Sequence, residues 1–331
     1  MRLDTWHKVG GSKARRESPR AFRVGAGLFH VLPLVLLLSA GCAPPDRPPI
    51  DSEALPAAAL EYLAPSSLTS FHLAPGVHYR SVRSRHEPWA VHLLEVDPGR
   101  CELTFEVVQP GEDQPRRSVS EMVRRADPGV IAAVNGSFFT EENEPLGMVA
   151  SRGEVQGRQE RPVFAWRPGA LPWIGGVRWE GDTLHVGEWA LVDGEPDGET
   201  ELLAGFPALL HGGRWVGDLQ QEARPAFATT RDPRTAVGWD PEAGRLWLIV
   251  VDGRREGRTE GMTLPELAEL FRALGATEAL NLDGGGSSAM VVRGQVVSRP
   301  SDPWRERPVV NALVLRSELE RCEASPQPPG H

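Results

Sequence analysis

The chain has 331 residues, 40% of them hydrophobic, and a formal net charge of −9 at pH 7. That length allows one large domain or two small ones with a sizeable core, and the acidic balance predicts no nucleic-acid partner and no general attraction to anionic surfaces. Lys8 and Lys13 are the only lysines, so downstream of them no lysine can serve a phosphate loop, a Schiff base or a general base, and any cation that grips an anionic substrate is Arg or His.

The first 41 residues carry seven basic and two acidic side chains, an apolar run over 31–38, and then Ser39-Ala40-Gly41-Cys42. A basic stretch, a short apolar stretch and small residues before a cut describe a secretory signal, too short for a spanning helix. With Cys42 directly after Ala40-Gly41, the segment resembles a bacterial lipoprotein signal peptide, although Ser39 stands where an aliphatic residue is more usual. That resemblance implies lipidation at Cys42 and a membrane-anchored, exported protein of the bacterial cell envelope, on its periplasmic or extracellular face. An ordinary secretory signal with a free Cys42 is the alternative. Cleavage before Cys42 would take the charge from −9 to −14. In an oxidising compartment Cys101 and Cys322 are left as a pair, and a disulfide between them is expected. There is no CxxC, HExxH or HxH spacing, so no transition-metal site is expected.

Residues 42–70, with five prolines over 43–58, read as a tether; the folded domain is expected over 71–322, and 323–331 as a loose tail. Alternating runs predict strands at 89–96 and 101–108. Ser118 with Glu121 forms a capping box for a helix to 126. The apolar run 130–134 predicts a buried strand ending at Asn135. From 147 to 217, short strands alternate with glycine-rich turns. Residues 235–239 and 245–251 form an expected antiparallel pair. The second of these ends at Asp252-Gly253-Arg254. A helix follows from Thr263, with Glu266 completing a capping box and Gly275 as its stop. Its residues Leu264, Leu267, Ala268, Leu270, Phe271 and Leu274 share one face. A strand at 277–282 comes next, and 309–315 supplies the last. Strand, crossover helix and strand imply two parallel strands in one sheet. The fold class is therefore α+β: a strand-rich mixed sheet with few helices and one strand–helix–strand crossover near the C-terminus.

Asn281-Leu282-Asp283-Gly284-Gly285-Gly286-Ser287-Ser288 is the centre of the chain. Three consecutive glycines lose much backbone freedom on folding, so such a run implies close backbone approach or positive φ. Parallel strands would bring Asp252 and Asp283 to one sheet edge, where ligands tend to sit, with carboxylates about 5–9 Å apart from the strand spacing. That range covers both glycosidase geometries, nucleophile with acid and base with acid; alternatively each Asp caps its own turn. Arg234 and Arg254 could hold a phosphate by paired hydrogen bonds, or pair with surface acids. The Gly284, Gly285 and Gly286 amides could nest an anion beside Ser287. Asn135 could bond a sugar hydroxyl, orient a carboxylate, or be a left-handed turn residue. The two serines lack the context of a nucleophile elbow.

Seven stretches, taken together, resemble the phosphodiester glycosidases. They are Val134-Asn135-Gly136-Ser137-Phe138-Phe139, Gly205-Phe206-Pro207-Ala208-Leu209, Arg234-Thr235-Ala236-Val237-Gly238, Val251-Asp252-Gly253-Arg254, Gly261-Met262-Thr263-Leu264, Leu282-Asp283-Gly284-Gly285-Gly286-Ser287-Ser288 and Arg307-Pro308-Val309-Val310-Asn311-Ala312-Leu313. They follow the family's order across about residues 76–315. Ser137, where the family more often has Gly, and Phe206 depart from its pattern. The resemblance implies hydrolysis of a sugar-1-phosphodiester at the sugar–oxygen bond. In that reading Asp283 and Asp252 share the carboxylate roles, Arg234 clamps the phosphate, and the partner is an envelope glycan or glycoconjugate such as an exopolysaccharide. No cofactor is expected. A metal-dependent phosphodiesterase would place a divalent cation on the same aspartates, and a non-catalytic glycan-binding lipoprotein would release no sugar.

Overall fold

The computed structural model describes residues 54–111, 113–126, 128–191, 198–216, 225–303 and 305–324. The signal segment, Cys42 and the end of the tail lie outside them. Among the described residues no helix is long and apolar enough to cross a membrane.

The expected tether meets structure early. A helix spans Ala57–Leu63 and buries Ala59 and Leu63, and the strand Pro65–Ala74 pairs with Val77–Ser84. Pro56, just ahead of the helix, fits its first turn, and the run Ala57-Ala58-Ala59-Leu60-Glu61 favours helix. The folded domain therefore begins before residue 71.

Eight strands form the largest sheet. Their order across it is Pro65–Ala74, Val77–Ser84, Ala90–Val96, Arg245–Val251, Arg234–Asp240, Glu278–Asn281, Ala208–His211 and Arg214–Trp215. Residues alternate along its central strand. Leu246, Leu248 and Val250 enter one core, while Trp247, Ile249 and Val251 enter another. A period of two places successive side chains on opposite faces, so the centre of this sheet is buried on both sides. Helices cover one face, chiefly Leu264–Ala273, which buries Leu264, Leu267, Ala268, Leu270 and Phe271. Its start is the expected capping box of Thr263 and Glu266. Helix and sheet approach closely because Gly238 has no side chain: a Cβ there would overlap the Phe271 ring.

The other face packs on a five-stranded sheet ordered Gln295–Val296, Met290–Val292, Val130–Asn135, Ala312–Ser317 and Leu103–Val108. The helix Val119–Arg125, begun by the Ser118–Glu121 capping box, covers the outer side of that sheet. The strand-rich middle of the chain forms a second five-stranded sheet and a three-stranded one. Glu201, on the former, accepts a hydrogen bond from the Val107 N–H at 2.7 Å, satisfying an edge-strand donor. Burial pushes the Glu201 carboxyl up to about 7. The disulfide is present: Cys101 and Cys322 are bonded, with Cα atoms 5.1 Å apart.

The architecture is strand-rich with few helices, as expected, but every described strand pair is antiparallel rather than mixed. The two strands joined by the crossover helix are not neighbours. Arg234–Asp240 lies between them and pairs antiparallel with each. The hairpin partner of Arg245–Val251 takes the place that a direct parallel pairing would have used.

Candidate active site

Strand register fixes where the site residues emerge. Arg234 stands opposite Val251 on one side, and Ala236 stands opposite Asn281 on the other. Asp252 and Asp283 therefore leave the sheet at the same edge, flanking the start of the strand that opens with Arg234. Two strand spacings, about 9–10 Å, separate their backbones, more than neighbouring strands would give.

The loop after Asp283 is pinned from several directions. The Asp283 N–H donates to Gly136 O at 3.0 Å, and the Gly285 N–H donates to Pro233 O at 2.8 Å. Asn135, the last residue of its strand, lies beneath it. Its Nδ2 donates to Asp283 O at 2.6 Å, and its Oδ1 accepts from Thr235 Oγ1 at 2.7 Å and from the Ala289 N–H at 3.1 Å. It is fully buried, so its amide joins three segments and is not presented to a ligand; it orients Asp283 through the backbone.

Asp283 itself is half-buried, and the desolvation of its carboxyl lifts it to about 6 against the lowering pull of Ser287, the Gly284 amide and the Arg307 and Arg254 guanidinium groups. The Gly284 N–H donates to Asp283 Oδ1 at 2.9 Å. Gly285 has φ +60°. A Cβ on it would stand 2.6 Å from Arg254 Nη2, and one on Gly286 would overlap Arg307 Nη2. Two guanidinium groups thus lie directly on the glycine turn. Each has a carboxylate partner. Arg254 Nε donates to Asp232 Oδ1 at 2.7 Å, which is the main reason its guanidinium is held above its usual range. Arg307 Nε and Nη2 donate to Asp302 at 2.8 and 2.9 Å. Arg254 adopts φ +58°, the left-handed region that a side chain seldom occupies. Such strain gathers at functional sites. The Ser288 Oγ and Asn281 Oδ1 atoms nearby in the chain are buried without a hydrogen-bond partner among the described residues.

Besides Asn135, two further expected site residues are placed differently. Arg234 is buried; its Nε donates to Met262 O at 2.8 Å, and its Nη2 donates to Phe227 O at 2.9 Å and Thr230 O at 2.8 Å. Three of its five N–H donors are taken by carbonyls, and burial lowers its pKa to about 10. It splices the chain segments around the site more than it faces a ligand. Asp252 is buried too. Its Oδ1 accepts from the Arg299 N–H at 2.7 Å and lies 3.4 Å from His92 Nε2. Arg307 and Asn311 were not among the expected site residues, although both stand in a stretch that carried the resemblance. Asn311 Oδ1 accepts from the Ser137 N–H, and its Nδ2 donates to Ser137 Oγ, both at 2.8 Å. Ser137 thus closes this zipper beside Gly136. A separate cleft of about 820 Å³ runs along Val107, Gln109, Arg152 and Gln156, and none of the expected site residues lines it.

An acid, a glycine turn and two arginines come together at the edge of a helix-covered antiparallel sheet. Residues 128–316 match the family model of the phosphodiester glycosidases. The mouse N-acetylglucosamine-1-phosphodiester alpha-N-acetylglucosaminidase is 34% identical over 289 residues, covering 78% of this chain and 52% of that protein. The chain belongs to the phosphodiester glycosidase family. It spans about half the length of the curated relatives it matches. The zebrafish enzyme's catalytic domain, solved auto-inhibited by its pro-peptide, superposes with TM-score 0.55 at 24% identity, covering 76% of this chain and 82% of that one. A hypothetical protein from Synechocystis gives TM-score 0.60 at 18% identity, over 76% and 64% of the two chains.

Proposed function

We propose that the protein is an exported hydrolase that releases a sugar from a sugar-1-phosphodiester in a glycan or glycoconjugate. One observation carries this reading: the Arg254 and Arg307 guanidinium groups rest on the Gly284–Gly286 turn beside half-buried Asp283. A phosphodiester entering there bonds the arginine N–H donors that Asp232 and Asp302 leave open, while those carboxylates hold the guanidinium groups in place. The bond between the sugar C1 and the phosphate oxygen breaks, the electron pair leaves on the phosphomonoester, water supplies the hydroxyl that C1 gains, and the proton that water gives up ends on the phosphomonoester oxygen or in solvent. A phosphate leaves readily, so little acid help is needed. Ionised Asp283 stabilises or attacks the cationic C1, and the arginines stabilise charge on the leaving group. The relatives' names, which specify an N-acetylglucosamine-1-phosphodiester, support that sugar as the first to try.

Product analysis on a panel of sugar-1-phosphodiesters tests the reading. Free sugar plus phosphomonoester is expected. Sugar phosphate, or loss of activity in chelator, would replace it with a metal-dependent phosphodiesterase, and binding without cleavage with a glycan-binding protein. Anchoring at the envelope through lipidated Cys42 rests on the basic N-terminal segment and the Ser39-Ala40-Gly41-Cys42 stretch. The Cys42→Ser variant is expected to leave the membrane fraction; retention there would refute the anchor.

A further inference from the structure

Asp252 is a strand-end acid whose place beside Asp283 invites a role in the chemistry. Its contacts point elsewhere. The carboxylate is buried, and its Oδ1 is already engaged by the Arg299 N–H at 2.7 Å. The residues on either side of Arg299 are also held from the sheets. Ser298 Oγ accepts from the Met290 N–H at 2.8 Å, and Pro300 O accepts from Arg255 Nη2 at 3.2 Å. Residues 298–300 are therefore stitched down at three consecutive positions, and two of the stitches, Asp252 on Arg299 and the Arg255 guanidinium on Pro300, involve a charged group, the stronger kind. Two residues further on, Asp302 takes both donors that fix the Arg307 guanidinium. Behind Asp252 lies His92, with Nε2 at 3.4 Å, inside ion-pair range but outside hydrogen-bond geometry. The other ring nitrogen of His92 shares a 2.8 Å hydrogen bond with Tyr79 Oη, and the two rings stack with centroids 6.2 Å apart. Burial pushes the Tyr79 phenol up to about 12. The acid is thus set in a rigid wall of strand side chains on one side and holds the loop on the other.

We propose that Asp252 is a positioning residue: by gripping the Arg299 N–H it fixes residues 298–302, and so sets where Asp302 holds Arg307 over Gly286. This rests on the phosphodiester reading for its kinetic consequence but not for its structural one. The chemistry of the substitution separates positioning from acid–base work. Asn keeps the oxygen that accepts from Arg299 and loses the charge and the basicity; Ala loses all three.

The test is a double-mutant cycle read in two ways. Asp252→Asn is expected to keep kcat on a sugar-1-phosphodiester within about threefold. Asp252→Ala is expected to raise KM about tenfold or more with little change in kcat, because uniform binding of the phosphate is lost. Combining Asp252→Ala with Arg307→Ala is expected to cost no more than Arg307→Ala alone, since both act through one guanidinium. Asp302→Ala, at a more accessible position, cuts the next link and is expected to shift KM in the same direction, which keeps the cycle readable if Asp252→Ala folds poorly. Independently of any activity, hydrogen exchange at the Arg299 amide should stay slow in Asp252→Asn and speed up in Asp252→Ala. A kcat loss of about 100-fold or more in Asp252→Asn would overturn the proposal in favour of direct catalysis, as would additive losses in the cycle. Unchanged exchange in a folded Asp252→Ala would also overturn it. If the wild-type protein cleaves no phosphodiester, the functional reading falls, and the exchange measurement still decides whether Asp252 holds the loop.

Discussion

Asp252 and Asp283 leave the same sheet edge on either side of the strand that begins at Arg234, yet their carboxyl groups meet different surroundings. At the Asp283 end, a glycine turn leaves room for two guanidinium groups, and the acid is lifted toward neutrality by burial. At the Asp252 end, the carboxylate accepts from a backbone N–H and lies beside a histidine within the wall of the fold. The difference shows that two acids at one sheet edge can have unlike surroundings. What separates the two is whether neighbouring backbone is bare enough to admit a ligand.

The comparison breaks most readily at Asp283. Asp283→Asn is expected to lower kcat/KM by about a thousandfold or more on a cleaved sugar-1-phosphodiester, as loss of a group acting on the reacting centre does. The same change should stabilise the protein. The folded pKa, about 6, lies above the usual 3.8, so the fold favours the protonated acid. Stability from this group is therefore full below pH about 4 and falls as pH rises toward about 6. At pH 7 the variant should gain up to about 3 kcal/mol in urea unfolding, since each pKa unit is worth about 1.4 kcal/mol. A dead enzyme with no gain in stability would mean that Asp283 is not buried at a cost.

Arg234 gives the next largest effect, in the opposite currency of stability rather than rate. Arg234→Met leaves three carbonyls without their donors and should cost about 3 kcal/mol or more in unfolding free energy. KM of the folded fraction should change little. A large rise in KM would restore Arg234 as a phosphate clamp. Arg254→Ala and Arg307→Ala should each raise KM by about 10–100-fold, the scale of one charge-assisted hydrogen bond, with melting temperatures close to wild type because both pairs are partly exposed. The smallest effect is in pH dependence. If Asp283 acts ionised, kcat/KM should rise with pH and level off above about 6; a rate that falls through that pH would make it an acid instead.

Local signals in the sequence reached far at the Asp283 end. The triple glycine, the buried strand ending at Asn135, and the helix begun by Thr263 and Glu266 all depend on contacts within a few residues, and the structure has each of them. The Cys101–Cys322 pairing followed from counting. Long-range pairing was hidden. Nothing local says that the strand from Arg234 slides between the two crossover strands. The carbonyls that occupy Arg234 come from Phe227, Thr230 and Met262, and the last lies on a different segment. Arg307 lay unmarked because it sits in a loop with no strand end to draw attention, although the absence of lysine after Lys13 already pointed to arginines. The proline-rich composition before residue 57 obscured the helix that starts there.

The bond between Cys101 and Cys322 closes a ring of chain with a sequence separation of 221. Asn135, Arg234, Asp252, Asp283 and Arg307 all lie inside it. A protease that cuts one exposed loop within that span opens the ring but releases no fragment, because the remaining path through the sulfurs still joins both pieces. For a protein expected to work outside the cytoplasm, a single nick need not separate the acid from its arginines.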